Sequence, residues 1–247
     1  MQTLFLADLH LGEKTPEIGS YFKQFIFYCL ENQQQISSIY ILGDFFEFWV
    51  GDDYQSDITD QIFSALSSLT KNYAVKGYFM HGNRDFLIGK GAKASFEQQT
   101  GFSIIDDPCS IELDGEKILL CHGDSLCTDD VQYQQLRQMV RNEQWQSDIL
   151  SKSINERIQF ALASRQQSEQ NYKQGEGETI ADVNQHAVEE IMIKNQCKTL
   201  IHGHTHRPDT HHFSLQGEPA QRIVLAAWYK RGSFLKYENN SFSSVAL

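Results

Sequence analysis

The chain has 247 residues, of which 40% are hydrophobic and 12% aromatic, and its formal net charge at pH 7 is −11. This length suits a single domain with room for a sizeable insertion, and the apolar share is large enough to exclude wholesale disorder. Because an acidic surface repels nucleic acid and anionic lipid, no nucleic-acid partner is expected, and any contact with a membrane must use a local patch.

Neither a membrane-spanning segment nor a disulfide framework is predicted. No apolar run approaches the roughly 20 residues that span a bilayer, and residues 1–8 lack the basic start and long apolar stretch of a secretory signal. The five cysteines are scattered and form no CxxC pair, as expected of reduced structural thiols. We therefore expect a cytosolic protein.

In chain order, short β-rich runs alternate with helical patterns. These runs predict strands at residues 3–7, 39–42, 75–80, 117–121, 199–201, 211–215, 221–227, 233–237 and 242–246. Helices are predicted near residues 17–32 and 58–71. The alternation in the first half is typical of βαβ units, whereas the last four strands predict an antiparallel meander.

A helical pattern at about residues 130–175 interrupts this order between the fourth and fifth strands. It is rich in Gln, Arg and Ser, and it is locally basic in an otherwise acidic chain. No proline-rich linker divides the chain, which has only 4 prolines. The sequence therefore predicts one domain over residues 1–247, with an inserted helical cap at about 130–175.

The first five predicted strands each end in residues that can bind a metal ion. The seven candidates are Asp8, His10, Asp44, Asn83, His122, His204 and His206. Because ligands bind beyond the carboxyl ends of strands in open α/β sheets, these side chains are expected to share one cleft. Mixed imidazole and carboxylate ligands suit manganese, iron, zinc or cobalt better than calcium. Each motif alone is as well explained by a polar turn, but the ordered set favours a two-metal site that hydrolyses a phosphoester or pyrophosphate.

The ordered motifs resemble those of the calcineurin-like metallophosphoesterase superfamily over nearly the whole chain. The resemblance implies an α/β (α+β) fold, namely a β-sandwich flanked by helices, and a catalytic centre with two divalent metal ions. The implied ligands are Asp8, His10 and His206 for the first ion, Asn83, His122 and His204 for the second, and Asp44 for both.

The residue after Asn83 departs from many members of the superfamily, which carry there a histidine that can donate a proton to the leaving group. Here it is Arg84, which stays charged and cannot act as a general acid at neutral pH, although it can bind phosphate oxygens. A phosphate leaving group, with a second pKa near about 6, needs no such proton. Arg84 therefore favours cleavage of a pyrophosphate, unless Asp124 or Asp130 acts as the acid.

Four longer stretches narrow the resemblance to the UDP-2,3-diacylglucosamine diphosphatases of lipid A biosynthesis. They lie at residues 41–53, 81–89, 122–130 and 202–208. In this family, water attacks the α-phosphorus of UDP-2,3-diacylglucosamine and releases UMP and 2,3-diacylglucosamine 1-phosphate. The resemblance implies manganese as the typical metal, and peripheral attachment to the cytoplasmic face of the bacterial inner membrane.

The resemblance also implies substrate contacts from the metal centre and from the cap. The expected contacts are Asn83, Arg84, Asp130, Ser168, Tyr172, Lys173 and His204, and Arg84 joins the seven metal ligands as a catalytic residue. The chain departs from the family shortly before residues 182–184, where Gly and Glu at 175–176 replace a basic residue. Tyr172 or Lys173 is expected to compensate there.

Two acyl chains require an apolar chamber beside the metal ions. The cap residues expected to line it are Ile149, Leu150, Ile154, Ile158, Phe160 and Leu162. Arg157 and Arg165 are expected to approach phosphate or lipid headgroups, so that the basic, apolar cap contacts the membrane surface. From periodicity alone, an ordinary amphipathic helix pair packed on the core explains the same pattern.

Two other functions fit parts of the sequence. A soluble nucleotide or dinucleotide pyrophosphatase of the same superfamily would use the same metal site, but it would not need an apolar lining in the cap. A metal-stabilised binding module without catalysis would be expected to lack ligands, and none of the seven is missing.

Overall fold

The computed structural model describes residues 1–12, 15–54, 56–173 and 182–247, without the side chains of residues 165–173. Within these ranges the strands are β1 (Gln2–Leu6), β2 (Ile36–Leu42), β3 (Lys76–Met80), β4 (Phe102–Ile105), β5 (Cys109–Leu113), β6 (Glu116–Leu120), β7 (Thr199–His202), β8 (Asp209–Leu215), β9 (Glu218–Val224), β10 (Ser233–Glu238) and β11 (Ser241–Ala246). The helices are α1 (Pro16–Glu31), α2 (Asp57–Ser67), α3 (Phe96–Thr100), α4 (Val131–Val140), α5 (Glu143–Leu150), α6 (Ile154–Lys173) and α7 (Gln185–Asn195).

The strands form two sheets that pack against each other. The first has the order β11-β10-β1-β2-β3-β4, and the second has the order β5-β6-β7-β9-β8. Strands β1 to β4 run parallel, as do β6, β7 and β9, whereas β5, β8, β10 and β11 pair antiparallel. Helices cover the outer faces, so the predicted α/β class, a β-sandwich flanked by helices, is confirmed.

The alternation of side chains along β1 explains how this sandwich is filled. Leu4 and Leu6 pack with Phe22 of α1 on the outer face of the first sheet. Phe5 and Ala7 face the second sheet, since successive residues of a strand point to opposite faces. Both faces are therefore buried, and a nearly continuous apolar run is what such a strand requires.

The carboxyl ends of β1, β2, β3, β6 and β7 meet at one edge of the sandwich. There the Asp8 backbone N–H donates to Gly43 O at 3.1 Å, and the Gly203 N–H donates to His122 O at 2.9 Å. The two sheets are joined where the His204 N–H donates to Asp8 Oδ2 at 2.8 Å. This edge holds the candidate site.

The connection from β6 to β7 carries α4, α5, α6 and α7. Side chains begin three of these helices: Asp130 caps α4, Asn142 caps α5 and Asn184 caps α7, each accepting a backbone hydrogen bond from the first turn. Helices α4 to α6 occupy the stretch that the sequence predicts as a cap. No helix of the described residues is long and apolar enough to cross a membrane.

The end of the chain differs from the prediction. Strands β8–β9 and β10–β11 are two hairpins in different sheets, so the predicted single meander is wrong. The segment between them crosses from one sheet to the other, and its Trp228 is fully buried and donates from the indole to Ser233 O at 2.7 Å. Strands β4 and β5 are also absent from the prediction, because these short, half-exposed strands carry a weak apolar pattern.

Candidate metal centre

Asp8, His10 and His206 form a first cluster, whose ligand atoms lie within 4.8 Å of one another. His206 Nε2 is 3.4 Å from Asp8 Oδ1 and 3.3 Å from His10 Nε2. Asp44 Oδ2 lies 4.0 Å from His10 Nε2. On the other side of the ring, Glu47 Oε2 is 3.5 Å from His10 Nδ1, which is where an outer carboxylate orients a ligating imidazole.

Asn83, His122 and His204 form a second cluster. The amide oxygen of Asn83 lies 3.0 Å from His122 Nε2 and 3.0 Å from His204 Nδ1. Asp44 Oδ1 is 3.7 Å from His122 Nε2, so Asp44 lies between the two clusters, as a bridging ligand must. The structure thus brings together all seven of the predicted metal ligands.

Five of these ligands adopt a left-handed backbone conformation that residues other than glycine rarely take. They are Asp8 (φ 54°), His10 (φ 53°), Asp44 (φ 50°), His204 (φ 67°) and His206 (φ 55°). Strained conformations of this kind cluster at functional sites, because the surrounding structure must hold them in place. Here they turn the chain sharply at the strand ends and direct the side chains into the cleft.

Two glycines allow the ligand loops to approach each other. A side chain at Gly82 would overlap the backbone nitrogen and the carboxylate of Asp44. A side chain at Gly203 would overlap the carboxylate of Asp8. Glycine at these positions is therefore required by the close approach of a neighbouring ligand.

The second cluster offers lone pairs that can hold a cation. His122 Nδ1 lies 2.9 Å from the Leu42 carbonyl oxygen, which can only accept, so His122 donates from Nδ1. In the neutral ring, which is the form that binds a metal ion, Nε2 is then an acceptor and faces a second acceptor, Asn83 Oδ1. A positive ion between them satisfies both atoms. In the first cluster, Asp8 Oδ1 is buried without a hydrogen-bond partner among the described residues, so the donors there also fit a divalent metal ion.

Burial keeps two of the predicted histidine ligands neutral. It lowers the pKa of His10 to about 3 and the pKa of His204 to about 3. His122 differs, because burial opposes its charge but the surrounding carboxylates, above all Asp44, raise its pKa to about 9. A metal ligand must be deprotonated, so a cation bound here displaces the proton of His122.

Asp85 ties together two of the ligand loops. Its fully buried carboxylate accepts hydrogen bonds from the Phe45 N–H at 2.7 Å and from the Gly82 N–H at 2.8 Å. Phe45 follows Asp44, and Gly82 precedes Asn83, so one side chain sets the spacing of the loops after β2 and β3. Burial, helped by the charge of Asp44, raises the pKa of Asp85 to about 7.

Arg84 points its guanidinium along the border of the centre. Its backbone N–H donates to Asp44 Oδ1 at 2.8 Å, and its Nε lies 3.9 Å from Asp44 Oδ2. The side chain is 25% exposed, and its Nε has no hydrogen-bond partner among the described residues. This group is therefore available to bind an oxyanion at the centre.

Asp124 anchors the cap through its hydrogen bonds to helix α4. Its Oδ2 accepts hydrogen bonds from Tyr133 Oη at 2.7 Å and from Arg137 Nε at 2.8 Å. Burial opposes ionisation, but His122 and Arg137 hold the pKa of Asp124 well below its usual range. These contacts favour the ionised carboxylate and count against Asp124 as the acid, and that alternative stays a prediction.

Beside Asn83 and Arg84 the centre opens into an apolar cavity beneath the cap. The apolar residues that line it are Phe48, Trp49, Val50, Phe86, Leu87, Leu136, Val140, Trp145, Ile149, Phe160, Ala161 and Leu162. Three of the six predicted lining residues are among them. The predicted residues that do not line the cavity are Leu150, Ile154 and Ile158. Leu150 instead packs against the loops at Gly51 and Gly91.

Arg157 is buried and ties helix α6 to the loop after β2. Its side chain is 3% exposed, and Nη1 and Nη2 each donate to Asp53 at 2.7 Å. Further hydrogen bonds reach the carbonyl oxygens of Val50 and Lys152. These donors hold α6 to the loop after β2, and because Arg157 also lines the cavity, its approach to phosphate or lipid headgroups stays a prediction.

The remaining predicted contacts lie on the cap. Asp130 is half-buried and caps α4, where its Oδ1 accepts from the Tyr133 N–H at 2.9 Å. Arg165, Ser168, Tyr172 and Lys173 belong to the part of α6 whose side chains lie outside the described residues.

Two aromatic residues at the centre are missing from the sequence-based prediction. Tyr133 packs its ring against His204, with centroids 5.9 Å apart, and Tyr229 stacks on His10, with centroids 5.1 Å apart. Tyr229 follows the end of β9, which runs parallel to β7. A search for site residues after the carboxyl ends of parallel strands would have found it if β9 had been included. Tyr133 lies within a helix, where no comparable signal marks it.

The fold and the metal centre define a known class of proteins. Residues 1–208 match the family model of the calcineurin-like phosphoesterases, and the chain belongs to this family. A solved structure of an archaeal phosphodiesterase shares the fold, with a TM-score of 0.51, 13% identity and coverage of 100% of both chains. The predicted superfamily is confirmed, and the chain is an enzyme of the metallophosphoesterase class.

Curated proteins named UDP-2,3-diacylglucosamine hydrolase are similar to the chain over nearly their whole length. The protein of Chromohalobacter salexigens is 43% identical over 92% of this chain and 89% of its own length. The protein of Stenotrophomonas maltophilia is 41% identical over 98% and 97%, and that of Yersinia enterocolitica is 42% identical over 96% and 95%. The narrower resemblance carried by the four long stretches is thereby confirmed.

Proposed function

We propose that this chain hydrolyses the pyrophosphate of UDP-2,3-diacylglucosamine, giving UMP and 2,3-diacylglucosamine 1-phosphate in lipid A biosynthesis. The observation that carries this proposal is the apolar cavity that opens beside Asn83 and Arg84. A substrate that has both a pyrophosphate and acyl chains fits this arrangement. Its phosphates can lie at the centre while its acyl chains are buried in the cavity, away from water. The names of the relatives agree with this substrate.

We infer that the centre holds two divalent ions and that manganese is the metal in the cell. The ligands are Asp8, His10 and His206 for one ion, Asn83, His122 and His204 for the other, and Asp44 for both. When bound, the ions supply an activated water and positive charge for the phosphoryl oxygens. A mixture of carboxylate, amide and imidazole donors is compatible with manganese.

In the proposed reaction, the water oxygen forms a bond to the α-phosphorus, and the bond from this phosphorus to the bridging oxygen breaks. The bridging oxygen leaves with the glycolipid phosphate, and UMP keeps the oxygen of the water. Arg84 is placed to hold the phosphate oxygens, since its guanidinium borders the cavity and the centre. The leaving phosphate, with a pKa near about 6, departs without a proton.

We further propose that the cap rests on the membrane surface, peripherally and on the cytoplasmic face of the inner membrane. Helix α4 exposes Val131 (61%), Leu136 (42%) and Met139 (47%), and α6 exposes Phe160 (39%). Leu136 and Phe160 also line the cavity, so this apolar surface continues into it. Cosedimentation with phospholipid vesicles tests the contact: replacing Val131 and Met139 together with Asp should release the protein, and unchanged binding would contradict the proposal.

The decisive assay for the activity is release of UMP from UDP-2,3-diacylglucosamine with added manganese. Wild type should release UMP, and His10→Ala should lose activity about 100-fold or more, because it removes a metal ligand. His186→Ala is the matched control, since this histidine lies exposed on α7 and pairs only with Glu190 at 3.2 Å among the contacts described. If wild type released no UMP but still hydrolysed a dinucleoside polyphosphate, the substrate would be a soluble nucleotide and not the glycolipid.

A further inference from the structure

The two ends of the metal centre have different surroundings. At one end, Asn83 and Arg84 border the apolar cavity. At the other end, His10 and His206 both contact the ring of Tyr229. This ring is parallel to His10, with centroids 5.1 Å apart and an interplanar angle of 10°, and it meets His206 edge-on at 5.3 Å. None of these three residues lines the cavity.

Tyr229 is held in position by its neighbours. The preceding residue, Trp228, is fully buried in the core and donates its backbone N–H to the carbonyl oxygen of the ligand Asp8 at 3.1 Å. Earlier in the same segment, the Leu225 N–H donates to His202 O at 2.7 Å. Tyr229 itself is 50% exposed. A segment anchored by backbone hydrogen bonds therefore presents a large aromatic side chain to solvent at the edge of the centre.

We propose that Tyr229 is a stacking platform for the uracil base of the nucleotide half of the substrate. The inference rests on the proposed function, which assigns the diacyl half to the cavity beside Asn83 and Arg84. A pyrophosphate that crosses the centre then directs the nucleoside to the opposite end, where His10, His206 and Tyr229 lie. Aromatic rings bind bases by stacking on their π-faces, which every base has.

The platform is tested by calorimetry of the manganese-loaded protein with two ligands, UMP and ribose 5-phosphate. Tyr229→Leu should weaken UMP binding about 10-fold, because it removes the stacked ring. Tyr229→Phe keeps the ring and should stay within about twofold of wild type for UMP. Ribose 5-phosphate has no base, so its affinity should be the same in all three proteins.

Equal losses for UMP and ribose 5-phosphate in Tyr229→Leu would overturn the proposal, because Tyr229 would then act through His10 on the phosphate site. Unchanged UMP affinity in Tyr229→Leu, or no measurable binding of UMP to wild type, would overturn it as well. The hydrolysis assay separates this inference from the proposed function. If wild type binds UMP through Tyr229 but does not cleave the glycolipid, the proposed substrate is wrong and the proposed stacking role of Tyr229 still holds.

Discussion

Replacing Arg157 by Met separates the two roles considered for this residue. The change removes two charge-assisted hydrogen bonds to Asp53 and leaves a carboxylate whose side chain is 18% exposed. Breaking a buried ion pair by removing one partner costs about 3–5 kcal/mol of unfolding free energy. Because Asp53 keeps some water and has Lys93 at 3.6 Å, we expect a loss of about 2–4 kcal/mol. For a chain of 247 residues, this lowers Tm by about 4–16 °C.

The assay is thermal unfolding of Arg157→Met, Asp53→Asn and the double variant. The double variant should lose less than the sum of the two single losses, by about 1–3 kcal/mol, because it leaves no unpaired charge. Arg231→Met is the matched control, since Arg231 is exposed, and it should change stability by less than about 0.5 kcal/mol. An unchanged Tm for Arg157→Met, with activity lost only on substrate in vesicles, would refute the tether and restore a headgroup contact.

Three further predictions concern the centre and the cavity. Asp85→Asn turns an amide donor toward the backbone N–H groups of Phe45 or Gly82 and should weaken metal affinity about tenfold, measured by competition with a chelator; equal affinities would contradict this role. Phe160→Ser should raise KM for the glycolipid about tenfold with little change in kcat, because it removes apolar contact with the acyl chains; a lower kcat at constant KM would argue against the cavity as the acyl site. His122, with a pKa of about 9, is charged at neutral pH and must lose its proton to bind metal. Metal affinity should therefore fall as pH is lowered from 9 to 7, and binding at pH 7 should release close to one proton from this residue. Calorimetry in two buffers of different ionisation enthalpy measures that release, and identical heats would speak against it.

The metal centre is largely predictable because its residues follow short apolar runs directly. Asp8, Asp44 and His122 each lie within two residues of a buried strand, so a local pattern locates them along the chain. Parallel pairing then brings these strand ends to one edge, so the residues that follow them lie close together. The left-handed backbone at Asp8 and Asp44 is not visible in such a pattern, although the neighbouring glycines hint at crowding.

Features that depend on contacts distant in sequence are not predictable in this way. Arg157 pairs with Asp53, which lies 104 residues earlier, and a basic residue on an amphipathic helix gives no sign that it will be buried. Tyr229 reaches His10 only because β9 and β10 belong to different sheets and the segment between them crosses the centre. The single meander predicted for the end of the chain misses this crossing, and with it the aromatic residue at the first cluster.

The most direct test of the proposed reaction is the fate of the water oxygen. Hydrolysis of UDP-2,3-diacylglucosamine in water labelled with heavy oxygen, followed by mass spectrometry of both products, locates the bond that breaks. Attack on the α-phosphorus places the label in UMP and leaves 2,3-diacylglucosamine 1-phosphate unlabelled. Label in the glycolipid phosphate would show attack on the other phosphorus and would contradict the proposed reaction.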